Sequence, residues 1–275
     1  MTLNLNLFIA SKKDLAGINI ANQLIEKYSF KKTTELFFDN PVYTQKIHNK
    51  QTKLLFVNTD VVDTQYFENL FTPELFIFLS RHSSAKGIPT LSVHTPGNLS
   101  EARFGGKPRK VSISPPSAMK NALLEMSRLT KEREIKFEVS YECTHHGPSL
   151  NSPTMFVELG SSPKQWKDIK AAEVVADSAV AALSNCSGYD VALGIGGPHY
   201  NSKFTKLALQ SKIAFGHMIP KYAIEELDLE ITKQCIQRTL EKVEKVILDW
   251  KGIKGEYKKK IKESINEIDL DYEKI

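Results

Sequence analysis

Short apolar runs rich in β-branched and aromatic residues recur along the chain and predict a large β-sheet. Segments with apolar residues at helical spacing lie between several of these runs. Strands that alternate with helices are typical of an α/β protein with a mixed, mainly parallel sheet and helices on both faces. The predicted strands are 4–10, 33–38, 53–58, 74–80, 90–93, 136–143, 153–159, 189–194 and 212–216. The predicted helices are 14–28, 117–132 and 167–184.

After Pro220 the pattern changes to helical segments alone. It predicts a long amphipathic segment near 229–250 and a charged one near 255–268. We therefore expect an α/β core over residues 1–225 and a helical C-terminal appendage of the same domain over residues 226–275.

The composition is that of a folded protein without a membrane span. Of the 275 residues, 41% are hydrophobic and 25% are charged, and no apolar run approaches the roughly 18 residues that cross a bilayer. The chain enters a strand pattern at Leu3, so we expect no signal peptide. Its three cysteines, Cys143, Cys186 and Cys235, form no CxxC pair, and their odd number favours neither a disulfide framework nor a zinc knuckle. We expect a cytoplasmic, reducing location.

The formal net charge of +5 is unevenly placed. Residues 101–140 hold nine Lys and Arg against five Asp and Glu. This excess is compatible with a phosphate-binding patch and equally with a solvated lysine-rich face. Residues 251–275 carry seven Lys and six Asp and Glu, and such mixed charge is typical of a solvated helix.

Six of the seven histidines come directly after predicted strands. In open α/β sheets, ligands bind outside the carboxyl ends of the strands, so these side chains are expected to converge on one site. The Gly194–Gly197 loop lacks the GxGxxG spacing and the P-loop Lys-Ser/Thr pair, so we expect no nucleotide cofactor. The six residues are His82, His94, His145, His146, His199 and His217.

Imidazole groups can bind a metal, accept a proton near neutral pH, or donate to an oxyanion, and hydrolases use all three roles. The sequence is compatible with each. HExxH is absent, and His145 and His146 on a continuing strand would point to opposite faces, so at most one would bind a metal unless the chain turns there. Carboxylates near strand ends offer partners for these histidines. They are Glu142, Glu158, Glu101 and Asp60.

A covalent nucleophile is not indicated. GxSxG is absent, and Cys143 lacks the local signature of a papain-like enzyme, so we interpret this cysteine as a small buried apolar residue. The histidine pattern therefore predicts a hydrolase that activates water.

Eight short blocks carry a more specific signal. They are SKKDLAGINI at 11–20, SRHSS at 80–84, VHTPGN at 93–98, FGGKP at 104–108, THHGP at 144–148, ELGSS at 158–162 with Trp166, GIGGPHY at 194–200, and FGH at 215–217 with Lys221 and Tyr222. In this order the blocks resemble the archaeal and plant type of D-aminoacyl-tRNA deacylase over about residues 5 to 225. Beyond Tyr222 we expect this sequence to differ from the family, because the resemblance implies a longer and differently composed C-terminal region.

The resemblance implies an esterase that removes D-amino acids such as D-tyrosine from mischarged tRNA, in translation quality control and D-amino acid catabolism. It also implies Zn²⁺ as the metal and a fold like that of nucleoside phosphorylases and peptidyl-tRNA hydrolases. The partner would be the acceptor end of D-aminoacyl-tRNA, and we expect a monomer.

Site roles follow from combining the resemblance with the placement of the residues. Catalysis is assigned to His82, His145, His146 and Glu142, with His145 or His146, together with His82, activating water directly or through Zn²⁺. Substrate binding is assigned to Ser83, His94, Asn98, Gly196, Gly197 and Tyr200, and the two glycine amides would cradle the oxyanion or the terminal phosphate. Contacts to tRNA are assigned to Arg103, Lys107, Arg109 and Lys110. Metal ligands are assigned to His145, His199 and His217.

Three other activities stay open at this stage. A zinc-dependent peptidase or amidohydrolase on small substrates would use the same histidines without a basic surface. A nucleoside phosphorylase-like enzyme would require phosphate for turnover. A tRNA-binding protein without chemistry would leave the convergence of histidines unexplained.

Overall fold

The structure is a computed structural model that describes residues 5–184 and 188–275. In these residues the chain forms strands β1 (Leu5–Ser11), β2 (Lys31–Phe37), β3 (Asn40–Ile47), β4 (Lys50–Val57), β5 (Leu75–Arg81), β6 (Thr90–His94), β7 (Gly97–Asn98), β8 (Lys110–Val111), β9 (Glu138–Tyr141), β10 (Thr154–Gly160), β11 (Asp190–Ile195), β12 (Ile213–Ile219), β13 (Lys245–Leu248) and β14 (Asp271–Lys274). The helices are α1 (Leu15–Lys27), α2 (Pro116–Glu132), α3 (Pro163–Trp166), α4 (Ile169–Ala181), α5 (Ser202–Gln210), α6 (Leu229–Gln237) and α7 (Gly255–Asn266).

The larger sheet has eight strands in the order β2-β3-β4-β1-β5-β10-β6-β9. Its centre, β4-β1-β5-β10, is parallel, and the β2-β3-β4 edge is antiparallel. β6 runs antiparallel to β10 and parallel to β9. The smaller sheet, β12-β11-β13-β14, is parallel throughout. The predicted mixed, mainly parallel α/β fold is therefore confirmed.

Apolar side chains cover both faces of each sheet. In the larger sheet α1, α2 and α4 pack on one face, and 3-10 helices at Val61–Asp63 and Gln65–Asn69 cover the other through an aromatic cluster that includes Phe67, Phe78 and Phe156. In the smaller sheet α5 packs on one face, and α6 and α7 pack on the other. Burial of these continuous apolar strands supplies the main driving force for the fold.

All nine predicted strands and all three predicted core helices are present, with ends shifted by a few residues. The prediction for 4–10 begins one residue before the described part of the chain. β3 was not predicted, because Pro41 makes its sequence untypical of a strand, although the residue is tolerated near a strand's start. Among the described residues, no helix is both long enough and apolar enough to cross a membrane.

The predicted long helix near 229–250 is wrong in its second half. α6 ends at Gln237, and the segment Lys245–Leu248 joins the smaller sheet beside β11. This short β-branched run is buried, and pairing with β11 and β14 outweighs the helical periodicity read from the sequence. The charged segment predicted near 255–268 is confirmed as α7.

Candidate active site

Five histidines and two glutamates meet beside one cavity of about 600 Å³. His82 follows β5, His94 ends β6, and His145 and His146 follow β9, while His199 follows β11 of the smaller sheet. Glu158 lies on β10 and projects from the face that also carries Phe156, two residues earlier. The predicted convergence is found, but not at a shared carboxyl edge, because β6 runs against β5 and β10. The site instead lies over one face of the larger sheet, next to the end of β11.

His94, His145 and His146 form the inner part of the site. Their ring centroids lie 4.4 Å (His94 to His145), 4.9 Å (His94 to His146) and 4.2 Å (His145 to His146) apart. The chain turns at His146, which has a φ of 42°, so the two neighbours point together, and the opposite orientation expected on a continuing strand does not apply. A Cβ on Gly147 would collide with the backbone of Gly105 and Gly106, and this close approach packs the 104–107 loop against the turn.

Backbone carbonyls set the tautomers of both residues of this turn. Nδ1 of His145 donates to the Cys143 carbonyl at 2.8 Å, and Nδ1 of His146 donates to the Gly147 carbonyl at 2.6 Å. Burial lowers the pKa of His145 well below its ordinary value and lowers that of His146 to about 4, and nearby histidines add to both effects. Both rings are therefore neutral near pH 7, and each keeps a lone pair on Nε2.

Glu142 lies close to three of the histidines of the site. Its Oε2 accepts from Nε2 of His199 at 2.8 Å and lies 3.6 Å from Nε2 of His145, while its Oε1 lies 3.3 Å from Nδ1 of His82. Burial raises the pKa of this carboxyl, but the hydrogen bonds from His199 and His82 outweigh burial and hold the pKa well below its ordinary value. His199 Nδ1 lies 3.1 Å from the Tyr222 hydroxyl.

His82 differs in charge from the neutral rings of His145 and His146. Burial lowers its pKa, but Glu142 and Glu158 outweigh burial and raise the pKa to about 10. The ring is therefore protonated near pH 7, with Nδ1 facing both carboxylates and Nε2 2.7 Å from the Tyr200 hydroxyl. Since a protonated imidazole cannot accept a proton, both ring nitrogens of His82 are hydrogen-bond donors near pH 7, which does not support the predicted part of His82 in activating water.

His94 is fully buried, deeper than the substrate-binding position predicted for it. Neither ring nitrogen has a hydrogen-bond partner among the described residues, although Nε2 lies 3.7 Å from Oε1 of Glu158. Burial lowers the pKa of this ring and Glu158 raises it, with a net upward direction.

Three groups of side chains bring ligand atoms within 4.8 Å of one another, as a metal site requires. They are His94 with His145 and His146, Glu142 with His145 and His199, and His82 with Glu142 and Glu158.

Two cavities share the histidine turn. The 600 Å³ cavity also reaches Ser83 and Tyr200, both predicted substrate contacts. A second cavity of about 270 Å³ is bordered by His145, His146 and Asn98. The two cavities therefore share His145, His146 and Phe104 in their linings.

Some predicted residues do not reach this site. His217 is buried within β12, where its ring nitrogens contact the Thr144 hydroxyl and the Arg238 carbonyl, so it is not brought to the predicted metal cluster. The Gly196 amide donates to the Ile219 carbonyl and is not free to cradle an oxyanion. Gly196 and Gly197, with φ of 104° and 79°, instead form the turn that places His199.

The predicted tRNA contacts are paired with carboxylates. Glu101 lies 2.9 Å from Arg103, and Asp228 lies 2.6 Å from Arg109. Glu68 lies 2.6 Å from Lys107 and 3.7 Å from Lys110. The excess of positive charge counted along 101–140 is thus largely balanced in space. Asn98 is also occupied, since its amide donates to the carbonyls of Gly105 and Lys107.

Tyr222 and Asp14 were not predicted as site residues. Both lie in blocks of the resemblance, which was the available signal. The Asp14 carboxylate caps α1 and accepts from the Arg81 amide at 2.6 Å, which fixes the residue before His82. The cysteines match their prediction where they are described, since Cys143 and Cys235 are buried free thiols, and Cys186 lies outside the described residues.

An α/β fold with neutral imidazoles, a protonated imidazole and an ionised carboxylate around one cavity defines a hydrolytic class of site. The family model of D-aminoacyl-tRNA deacylase matches residues 70–273. The chain is 39% identical to the D-aminoacyl-tRNA deacylase of Thermococcus onnurineus and 40% identical to that of Pyrococcus abyssi, in each case over 98% of this chain and 99% of the relative. The chain therefore belongs to the D-aminoacyl-tRNA deacylase family.

A solved structure agrees with this assignment at the level of the fold. The crystal structure of a conserved protein of unknown function superimposes with a TM-score of 0.89 at 30% identity, and the match covers 100% of this chain and 96% of that protein. The expected departure beyond Tyr222 is wrong, because the matches to the relatives extend over nearly their whole length and the family model continues to residue 273.

Proposed function

We propose that this protein hydrolyses the ester between a D-amino acid, such as D-tyrosine, and the terminal ribose of tRNA, and so returns mischarged tRNA to use. The observation that carries the proposal is the pairing of a protonated His82 with an ionised Glu142 at 3.3 Å beside the cavity. Ester hydrolysis by water needs a proton acceptor and a proton donor in one place, and buried groups with opposite charge states supply both.

Glu142 is the proposed proton acceptor. Its buried Oε1 lies 3.3 Å from Nδ1 of His82, and a second lone pair of this oxygen is available to a water molecule. His82 is the proposed donor to the oxygen that becomes negative, and Tyr200 holds its Nε2 side. His199, between Glu142 and Tyr222, orients the carboxylate.

Zn²⁺ fits the inner histidines. His94, His145 and His146 would hold it, because two of these rings are neutral with free Nε2 atoms and the third is buried without hydrogen-bond partners. Glu142 and Glu158 lie close by and favour a positive charge there. When bound, the metal would supply Lewis acidity and make water easier to deprotonate.

The two cavities support an ester as the substrate. An aminoacyl ester has two unlike halves on either side of the bond that breaks, and the imidazoles of His145 and His146 border both spaces. The acyl and ribose halves would each occupy one cavity, and the ester carbonyl would lie beside the two imidazoles that both cavities share.

The test is release of free tyrosine from D-Tyr-tRNA and L-Tyr-tRNA by metal-replete and chelator-treated protein, with zinc content measured in parallel. Cleavage of only the D ester, lost on chelation and restored by Zn²⁺, is expected. The His94→Ala variant should lose both zinc and activity, whereas His48→Ala, at an exposed position away from the cluster, should keep both. Activity that survives verified metal loss would contradict the zinc proposal and leave Glu142 as a proton acceptor that works without a metal. No cleavage of either ester would contradict the proposed function.

A further inference from the structure

Three lysines surround the indole of Trp250, which begins a 3-10 turn directly after β13. The Nζ atoms of Lys258, Lys262 and Lys274 lie 4.6, 5.2 and 4.5 Å from the ring centroid. Cation–π contacts of this length hold ammonium groups in place and reduce the conformational freedom lost on binding. These four residues are called the Trp250 patch below.

The Trp250 patch has no side-chain carboxylate as an ion-pair partner in the described part of the chain, and the terminal residue Ile275 adjoins it through an oxygen that accepts from the Trp250 amide at 3.3 Å. Among the described residues, no Asp or Glu oxygen lies within 4.0 Å of these three ammonium groups, although neighbouring Lys254 and Lys259 have Glu256 and Glu263 at 3.7 and 3.8 Å. Because all three ammonium groups surround one ring, no two are farther apart than about 10 Å, roughly the Debye length at 0.1 M salt. Their mutual repulsion would be relieved by a polyanion.

The patch lies at the same edge of the smaller sheet as the turn that carries His199. β11, β13 and β14 are parallel, and Trp250 follows the end of β13 just as Gly196 follows the end of β11. The Asp249 amide donates to the Ile195 carbonyl at 2.9 Å, and the Asp249 carboxylate binds Lys203 at the start of α5. A ligand that enters the active site can therefore extend over the patch.

We propose that the Trp250 patch binds backbone phosphates of the tRNA acceptor arm. This inference rests on the proposed function, which places the end of a tRNA at the histidine cluster. The cations first predicted to contact tRNA, including Arg109 and Lys107, already have carboxylate partners, whereas the patch has none. Lysine acts on phosphate as a point charge without base specificity, which suits an enzyme that acts on many tRNAs.

The experiment compares the full-length triple variant Lys258→Gln, Lys262→Gln, Lys274→Gln with a control of equal charge change, Lys31→Gln, Lys32→Gln, Lys46→Gln. The control lysines are exposed on the β2-β3 edge of the larger sheet. Binding of uncharged tRNA is measured between about 50 and 200 mM salt, where each lost phosphate contact lowers the slope of log K against log salt by about 0.7 to 0.9. The magnitude of this slope should be smaller by about two to three in the patch variant than in the unmodified protein, and it should be unchanged in the control variant.

Kinetics separate this inference from the proposed function. For D-Tyr-tRNA the patch variant should show a KM raised about tenfold or more with kcat unchanged, the result of lost uniform binding. D-tyrosyl-adenosine has no phosphate, so both variants should hydrolyse it as the unmodified protein does. Equal salt slopes and equal KM for the patch and control variants would overturn the patch proposal while leaving deacylation intact. If the unmodified protein cleaves neither substrate, the proposed function fails, and the slope alone decides whether the patch binds RNA.

Discussion

Replacing Glu142 with glutamine should lower the pKa of His82 and slow the reaction without changing the shape of the site. The carboxylate is 1% exposed and contacts three imidazoles, so the isosteric amide removes charge and leaves volume unchanged. The pKa of His82 is raised from 6.5 to about 10. This difference corresponds to about 5 kcal/mol in net favour of the protonated ring, after burial has opposed it. Glu142 and Glu158 together therefore supply more than this amount, and loss of one should remove at least about 2 kcal/mol.

The expected pKa of His82 in the Glu142→Gln variant is then about 8 or lower. At about pH 9 the ring should be mostly protonated in the unmodified protein and mostly neutral in the variant. Titration of ¹⁵N-labelled histidine by NMR measures this directly. Because the proton acceptor is lost at every pH and the protonated donor is also lost at about pH 9, kcat should fall by about a hundredfold or more.

Glu138→Gln provides the control, because Glu138 lies exposed on β9 close to Glu142 in the sequence. This variant should keep both the titration curve and kcat. Thermal unfolding of the two variants separates loss of chemistry from loss of fold. A Glu142→Gln protein whose His82 is still protonated at about pH 9 would refute the assignment of Glu142 as a main cause of the raised pKa.

Two further predictions concern residues around the cluster. Burial lowers the pKa of His217 to about 4, so the folded protein resists a proton that the unfolded chain accepts below about 6.5, and stability falls as pH drops between these values. Chemical unfolding should show about 2–3 kcal/mol of this loss between about pH 7 and 4.5, reduced in His217→Gln but not in the exposed-site control His48→Gln, and an unchanged loss in His217→Gln would contradict the reasoning. Tyr222→Phe removes the hydroxyl 3.1 Å from His199 and should lower kcat about two- to tenfold in the deacylation assay, whereas the remote Tyr272→Phe should not; full activity of Tyr222→Phe would show that this hydroxyl does not orient His199.

The larger features of the fold were predictable because they depend on local sequence. The apolar runs of β1, β5 and β10 are buried on both faces and read as strands without knowledge of their neighbours. Strand direction was not predictable, because β6 pairs antiparallel with a strand about 60 residues later in the chain. β13 was missed for a related reason, since its three β-branched and aliphatic residues form a strand only when β11 is beside them.

The site was predicted in its residue types and less well in its roles. Position after a strand selected five histidines that do converge, but it also selected His217, whose surroundings are hydrogen-bonding groups on Thr144 and Arg238. The charge states of His82 and His145 depend on burial and on carboxylates contributed by other strands. The sequence pattern shows neither the burial of a histidine nor the carboxylates near it. The proposed proton donor and proton acceptor could therefore be distinguished only from the three-dimensional structure.

The pairing of charged side chains in the fold also could not be predicted from the sequence. A count along the sequence finds an excess of cations near Arg109, yet its partner Asp228 is 119 residues away, and Lys107 is balanced by Glu68 at a separation of 39 residues. The C-terminal segment appears nearly neutral by the same count, but folding directs three of its lysines to one indole and its acidic groups elsewhere. Because phosphate binding depends on unpaired charge in space and not on the net charge of a sequence segment, the surface that we propose for tRNA binding is the Trp250 patch and not the predicted segment.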